Sequence, residues 1–315
     1  MGAADRLHPG VLRWLHAQGW QLQWIVETHA HADHLSAAQY LRHQLGGRVA
    51  MGERIRDVQK VFRSVFQPQI RRGGEVICHE AFLQVLARDG VGASPQTIFE
   101  QAGDDDAIAL DRMARKLHVL NFVRQRGWQA GLLALNLSPE ALLALVDDRD
   151  GLFEAVLADS GLPPCQVVLE VADHGFEDCA SLAAAIARCR GRGYRVAIDN
   201  FGRFSCDIER LEALAPDIVK LDRCLIGHAG HLGFARRVLA ELCAEVRRLG
   251  IQLVSQSIES RQQLQAAMAS GVDIFQGHLI GRPAQQCRRA KPQRARLCAR
   301  REQPPTQQSA STAHA

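Results

Sequence analysis

Six polar side chains stand at or just after the ends of short runs of strand-forming apolar residues. Asn136 follows Leu132–Leu135, Glu170 follows Val167–Leu169, Asp199 follows Val196–Ile198 and Lys220 follows Ile218–Val219. Gln256 comes just after Leu253–Val254, and Gln276 follows Ile274–Phe275. Glu80 joins the series at the end of Glu75–His79. A single polar residue at a strand end is what solvent contact alone produces. Seven in register, made of carboxylates, amides and one lysine, predict strand ends that converge on one site. A second constellation lies near the N-terminus, in Thr28-His29-Ala30-His31-Ala32-Asp33-His34. Alternate histidines after a strand point the same way, with Asp33 and His34 able to face a neighbouring ion, a spacing suited to metal chemistry.

The elements that must position these residues follow from periodicity. Helical stretches such as Ser181–Arg190 and Phe234–Leu249 separate the apolar runs, the second carrying Val238, Leu239, Leu242 and Val246 on one stripe. Strands of two to four buried residues alternating with helices predict parallel α/β architecture. Before them, Trp24-Ile25-Val26 reads as a short strand ending at Glu27, and a helix is expected through Leu41, stopping at Gly46-Gly47. After about residue 286 the chain turns basic, then rich in Gln, Ser, Thr, Pro and Ala, and is expected to be disordered. Three segments result: 1–61, 62–285 and a basic, polar tail over 286–315.

The residues around the strand ends resemble the EAL family of cyclic-di-GMP phosphodiesterases. Phe66-Gln67-Pro68 is similar to its opening YQPI segment, and Glu80-Ala81-Phe82-Leu83 reads EAF where the family has EAL. Asn136-Leu137-Ser138 matches NLS, and Leu169-Glu170-Val171-Ala172-Asp173 matches LE(I/L)TE. Asp199-Asn200-Phe201-Gly202 stands at DDFG, and Ile218-Val219-Lys220-Leu221-Asp222 matches IKID. Ser255-Gln256-Ser257-Ile258-Glu259-Ser260 occupies AEGVET, and Gln276-Gly277-His278-Leu279-Ile280-Gly281-Arg282-Pro283 matches QGYxxGRP. The resemblance implies a modified TIM-type (β/α) barrel with one strand reversed, and cyclic di-GMP as ligand. It implies Glu80, Asn136, Glu170 and Asp199 as ligands of a first Mg²⁺ or Mn²⁺ ion, with Asn200 a weakened ligand of a second. Lys220 and Glu259 take catalytic positions, and Gln67, Glu80 and Gln276 ligand-contacting ones. Phosphodiester hydrolysis with two metals needs such hard oxygen donors and a positive group near the phosphate.

Three departures fall on functional positions. Asn200 replaces an aspartate and Gln256 a glutamate, so two carboxylates near the metals become neutral. Gln84 stands where an arginine contacts phosphate, forfeiting a charge-assisted interaction. Asp173 shortens a glutamate, and Arg203-Phe204 rebuild a loop linked in the family to dimerisation. One metal is therefore expected rather than two. The expected role is a receptor or scaffold for cyclic di-GMP with weak or absent turnover, open to a protein partner or a homodimer. The alternative is an active phosphodiesterase releasing linear pGpG.

The histidine motif resembles the HxHxDH signature of the metallo-β-lactamase fold, in its glyoxalase II and persulfide dioxygenase branch. Only about 60 residues share that likeness, too few to supply the remaining ligands and second sheet. A vestigial fragment is expected, with zinc at His29, His31, Asp33 and His34 adventitious. A zinc-dependent hydrolase or dioxygenase is the second alternative.

Bulk properties set the frame. Hydrophobic residues at 47% and charged residues at 23% allow a sizeable core, and the net charge of +4 owes much to the basic tail. Nucleic acid is therefore not an expected partner. Nine cysteines without a CxxC pair predict a reducing compartment. The N-terminal residues Asp5, Arg6 and His8 interrupt any signal-peptide core, and Asn136, Ser138 and Glu140 break the most apolar stretch, so a cytoplasmic, membrane-free protein is expected. His118 and His174 stand alone and are expected at the surface or at caps.

Overall fold

The computed structural model describes residues 24–27, 48–51, 62–86, 92–93, 104–125, 131–147, 151–172 and 176–288. Near the N-terminus, β1 (Trp24–Glu27) pairs in parallel with β2 (Arg48–Met51).

The main body is a closed barrel. Its strands are β3 (Phe62–Arg71), β4 (Val76–Leu86), β6 (Leu132–Leu137), β7 (Val167–Ala172), β8 (Arg195–Phe201), β9 (Ile218–Leu221), β10 (Gln252–Ser255) and β11 (Ile274–Phe275). Short β5 (Gly92–Ala93) adds to β4 outside the ring. Neighbours run parallel from β4 through β11, whereas β3 is antiparallel to both β4 and β11 and closes the ring. This is the α/β barrel with one reversed strand that the sequence implied.

Strand alternation explains both the barrel's filling and its site. Cys78, Leu132, Ala134, Val168, Ala197, Ile218, Val254 and Ile274 form one apolar cluster inside the ring. The residue two places further on each strand again faces inward. Those residues are Glu80, Asn136, Glu170, Asp199, Lys220, Gln256 and Gln276, a polar layer above an apolar floor. The intervening residues, such as Leu133, Leu169, Ile198, Val219 and Phe275, join the larger cluster between barrel and helices. Each such side chain, fully buried, contributes roughly 1.5–3 kcal/mol.

Helices fill the connections: α1 (Asp104–Arg124), α2 (Pro139–Asp147), α3 (Leu152–Ser160), α4 (Cys179–Gly191), α5 (Ile208–Leu214), α6 (Arg223–His231), α7 (Gly233–Arg248) and α8 (Arg261–Ala269). Several start on a side-chain cap at a strand-to-helix turn. Ser138 accepts from Ala141 N, Asp207 from Arg210 N and Asp222 from Cys224 N, while Ser260 and Gln263 make a reciprocal capping box. Ser138 and Asp222 therefore have local structural work within their motifs.

The described chain continues to Arg288, whose backbone N–H donates to His79 Nε2, while Cys287 N–H donates to Gln125 Oε1. Among the described residues seven cysteines are free and Cys165 is disulfide-bonded, where the spacing of the cysteines points to a reducing compartment. Among the described residues no helix is long and apolar enough to cross a membrane.

His118 is buried on α1, not at the surface or a cap as expected from its isolation in sequence. Asn121 Nδ2 donates to Ser64 Oγ at 3.1 Å, so the Ser64 hydroxyl is free to donate to His118 Nδ1 at 2.8 Å. Burial pushes the imidazole down from 6.5 to about 4, keeping it neutral. Between those values the unfolded chain binds the extra proton, so stability falls as pH falls. Wild-type protein should lose about 2 kcal/mol through this group between about pH 7 and pH 5. Denaturant titrations at both pH values should show His118→Gln losing correspondingly less; an identical loss would remove His118 as the cause.

Candidate functional site

The polar layer is organised around Lys220. Its Nζ donates to Glu80 Oε2 at 2.7 Å and Glu170 Oε2 at 2.6 Å, and lies 3.5 Å from Asp199 Oδ1. The lysine side chain is 1% exposed, so its charge has no route to bulk water. Burial pushes the ammonium pKa down, but the carboxylates of Asp199, Glu170 and Glu80 outweigh this and hold it well above its usual range. Lys220 is therefore a permanent cation.

The three acids respond differently. Burial, aided by the charges of Glu80 and Asp199, pushes Glu170 well above the carboxylate range despite Lys220. Burial also raises Asp199, with Lys220 opposing it. Burial works against Glu80 too, but the Lys220 charge and hydrogen bonds from Lys220, Asn136 and Gln276 leave it lowered. Three acids against one ammonium leave the pocket over-supplied with negative charge when all are ionised.

Amides complete the network. Asn136 Nδ2 donates to Glu80 Oε1 at 2.9 Å, and Gln276 Nε2 to Glu80 Oε2 at 2.7 Å and Gln67 Oε1 at 3.1 Å. Gln67 Nε2 in turn donates to Gly281 O. Asn200 Nδ2 donates to Asp199 Oδ2 at 2.7 Å and accepts from Gln256 Nε2 at 3.1 Å. Asp199 Oδ1 is buried and makes no hydrogen bond.

The backbone explains these placements. Register between β8 and β9 breaks between Ile198 and Phe201, and Asn200 within that break has φ +56°, a conformation asparagine tolerates better than most residues. Gly277 follows Gln276 at φ +151°, where a Cβ would lie 2.1 Å from Ile258 N. Only glycine permits that approach, through which Ile258 N–H reaches Gln276 O.

Of the sequence-derived candidates, Glu80, Asn136, Glu170, Lys220, Gln67 and Gln276 share one hydrogen-bonded cluster, and Asp199 joins it through its ion pair with Lys220. Asn200 is linked to it through Asp199 only. Glu259 is exposed on the turn before α8, its backbone N–H bonded to Gln263 Oε1, and its side chain has no bond to the cluster among the described contacts. Gln84 is exposed on β4. Asp173, His174 and the motif residues His29, His31, Asp33 and His34 lie outside the described residues.

Gln69 belongs to the cluster and was missed. Buried on β3, it donates to Gln276 Oε1 at 3.1 Å and Glu170 Oε1 at 3.4 Å. The available signal was its period-2 spacing from Gln67 on one strand.

Oxygen donors of this kind suit a hard divalent cation, and Asp199 Oδ1 is an acceptor without a donor. Among the described residues no three His, Cys, Asp or Glu side chains form a ready metal cage, because Lys220 sits between the acids. Glu80, Asn136, Glu170 and Asp199 would hold the ion, which would share with Lys220 the task of neutralising them. A cavity of about 460 Å³ lies alongside, lined by Asp199, Asn200, Phe176, Phe204, Arg210 and Leu211 among others.

An EAL domain family model matches residues 53–283. The chain belongs to the EAL family. A metallo-beta-lactamase superfamily model also matches residues 2–99, overlapping the first two barrel strands. The EAL-domain containing protein YkuI of Bacillus subtilis is 26% identical over 235 residues, covering 73% of this chain and 56% of YkuI. Its crystal structure, a complex with c-di-GMP and calcium, superposes with a TM-score of 0.65 at 22% identity, covering 78% of this chain and 60% of that one. The cyclic di-GMP phosphodiesterase PdeF of Escherichia coli is 24% identical over 251 residues, 78% of this chain and 33% of PdeF. This EAL chain thus spans between a third and just over half of those curated relatives. A probable metallo-hydrolase of Burkholderia pseudomallei is 50% identical over 50 residues, 16% of this chain and 17% of that protein.

Removing the central cation should expose what it holds. Lys220→Met is expected to cost about 3–5 kcal/mol near neutral pH, by leaving buried carboxylates unpaired. Without Lys220 each acid loses the cation that favours its ionised form and titrates higher in the folded state, Glu80 included, so stability should recover as pH falls and decline as pH rises. Chemical denaturation across pH checks this; a variant equally stable to wild type at neutral pH would mean the acids are already neutral.

Proposed function

We propose that this EAL domain binds cyclic di-GMP at the strand ends, with one Mg²⁺ or Mn²⁺ ion, and hydrolyses it weakly or not at all. The observation that carries the reading is the Glu80–Glu170–Asp199–Lys220 cluster, retained whole beside a neutral Asn200–Gln256 pair. A divalent cation there supplies Lewis-acid neutralisation of a phosphate oxygen. Lys220 adds a fixed positive charge, and Gln67 and Gln276 offer amides at the edge of the layer. Two carboxylates replaced by amides, and an arginine position filled by exposed Gln84, each remove charge from catalysis or phosphate binding. Losses of about 10²-fold per charged group fit removal of preorganised catalytic charges. The relatives' names and complexes support the ligand class, and the domain's role is that of a cytosolic nucleotide receptor or scaffold rather than a turnover enzyme.

Calorimetry of the full chain with cyclic di-GMP and Mn²⁺ tests binding, and chromatography after prolonged incubation tests hydrolysis. Saturable binding without linear pGpG is expected, and Glu170→Gln, nearly isosteric, should weaken Mn²⁺-dependent binding at least tenfold. Linear product that disappears in Lys220→Ala would establish an active phosphodiesterase instead. Absence of both binding and product would sink the nucleotide reading.

A further inference from the structure

Asn200, on β8, and Gln256, just after β10, lie 56 residues apart in sequence and meet at the barrel rim although β9 separates their strands. Their amides form a directed chain: Gln256 Nε2 to Asn200 Oδ1 at 3.1 Å, then Asn200 Nδ2 to Asp199 Oδ2 at 2.7 Å. The chain ends on one carboxylate oxygen and leaves the other, Asp199 Oδ1, buried and unbonded, 3.5 Å from Lys220 Nζ. The direction is fixed chemically. Ionised Asp199 can only accept, so Asn200 must turn its NH₂ toward it, and its carbonyl oxygen then needs a donor. Gln256 is that donor. The left-handed backbone at Asn200 and the register break around it place the amide beside its own neighbour's carboxylate.

We propose that Asn200 and Gln256 are a positioning pair that orients Asp199 toward a single cation and leaves no place for another on their side. This rests on the reading that the carboxylate cluster takes a divalent ion. With Oδ2 capped by a neutral donor, Asp199 offers one oxygen, Oδ1, toward Lys220 and the other acids. On the far side of the carboxylate, Asn200 Oδ1 is already bonded, and neither amide carries charge. A second divalent ion there would have to compete with the amide donors on Asp199 Oδ2 and Asn200 Oδ1 and would gain no new negative group. The facing amide atoms thus pair with each other without metal, whereas two acids in the same places would repel and call for a cation between them.

The test is Mn²⁺ stoichiometry and affinity of the full chain, by calorimetry and by electron paramagnetic resonance of free Mn²⁺. The count is read as the difference between variants, which cancels any ion held by the N-terminal histidines. Gln256→Met keeps the bulk of the side chain and removes its donor. It should weaken Mn²⁺ binding roughly tenfold, with unchanged stoichiometry and an unchanged unfolding midpoint without metal. Asn200→Asp/Gln256→Glu should gain one Mn²⁺ equivalent over wild type. Circular dichroism and the unfolding midpoint of the double variant in Mn²⁺ report whether it folds; Gln256→Met decides the question if it does not. Wild-type affinity in Gln256→Met, or a double variant that folds and gains no ion, overturns this inference alone. Wild-type protein whose Mn²⁺ binding is indifferent to Glu170→Gln overturns the metal reading beneath it.

Discussion

One ammonium group, held off-solvent among three acids, sets the terms for the upper half of the barrel. Lys220 cannot reach water and cannot lose its proton while its neighbours are ionised. Glu80 and Glu170 come from β4 and β7, and Asp199 from β8, so one side chain ties together strands distant in sequence. Buried ion pairs are weak evidence for net stability, because desolvation offsets much of the attraction. Here the arrangement makes sense as a pre-set electrostatic site: its acids keep different proton affinities because each has a different set of donors.

The surrounding amides then divide into two groups with different effects. Asn136, Gln276 and Gln69 donate to the acids, and Gln67 accepts from Gln276 while donating to the Gly281 carbonyl, so Glu80 and Glu170 are held within the layer. Asn200 and Gln256 act from the rim and engage Asp199 alone. Every oxygen of Glu80 and Glu170 has a donor, so the one acceptor left over is on Asp199. A metal ion would therefore compete with different partners at each ligand, displacing amides in one place and sharing with Lys220 in another.

Much of this was legible in the chain. Apolar runs ending in Asn136, Glu170, Asp199, Lys220 and Gln276 announced strands whose inner faces change from apolar to polar near their ends, and the barrel places them so. The strands run past these apolar stretches, because Asn136 is followed by Leu137 and Asp199, after Asn200, by Phe201, apolar residues that remain in the strand. Gln69 carries no such strand-end signal, because its partners are 101 and 207 residues away and nothing local distinguishes a buried glutamine from an exposed one. The burial of His118 is hidden in sequence for the same reason: its partner Ser64 is on β3, and only packing of α1 against that strand brings them together. Hydrogen-bond direction along Gln256, Asn200 and Asp199 depends on three-dimensional proximity and could not be read from residue types. The departures from two acids to two amides could be, and they are what the geometry turns into a closed pair.

The two family matches compete for the same residues, and barrel closure decides between them. Residues 53–99 fall within both, and they include β3 and β4. The reversed strand β3 bonds β4 on one side and β11 on the other, so it has no free edge for another sheet. It also carries Gln67 and Gln69 into the polar layer. If β3 served a metallo-β-lactamase-like sheet instead, the ring would open between β4 and β11 and the layer would lose two amides to solvent. The barrel thus claims these strands, and the parallel pair β1–β2 is what the described structure retains of the N-terminal likeness. The inward polar side chains of β3 and β4, Gln67, Gln69 and Glu80, are committed to Lys220 and its partners.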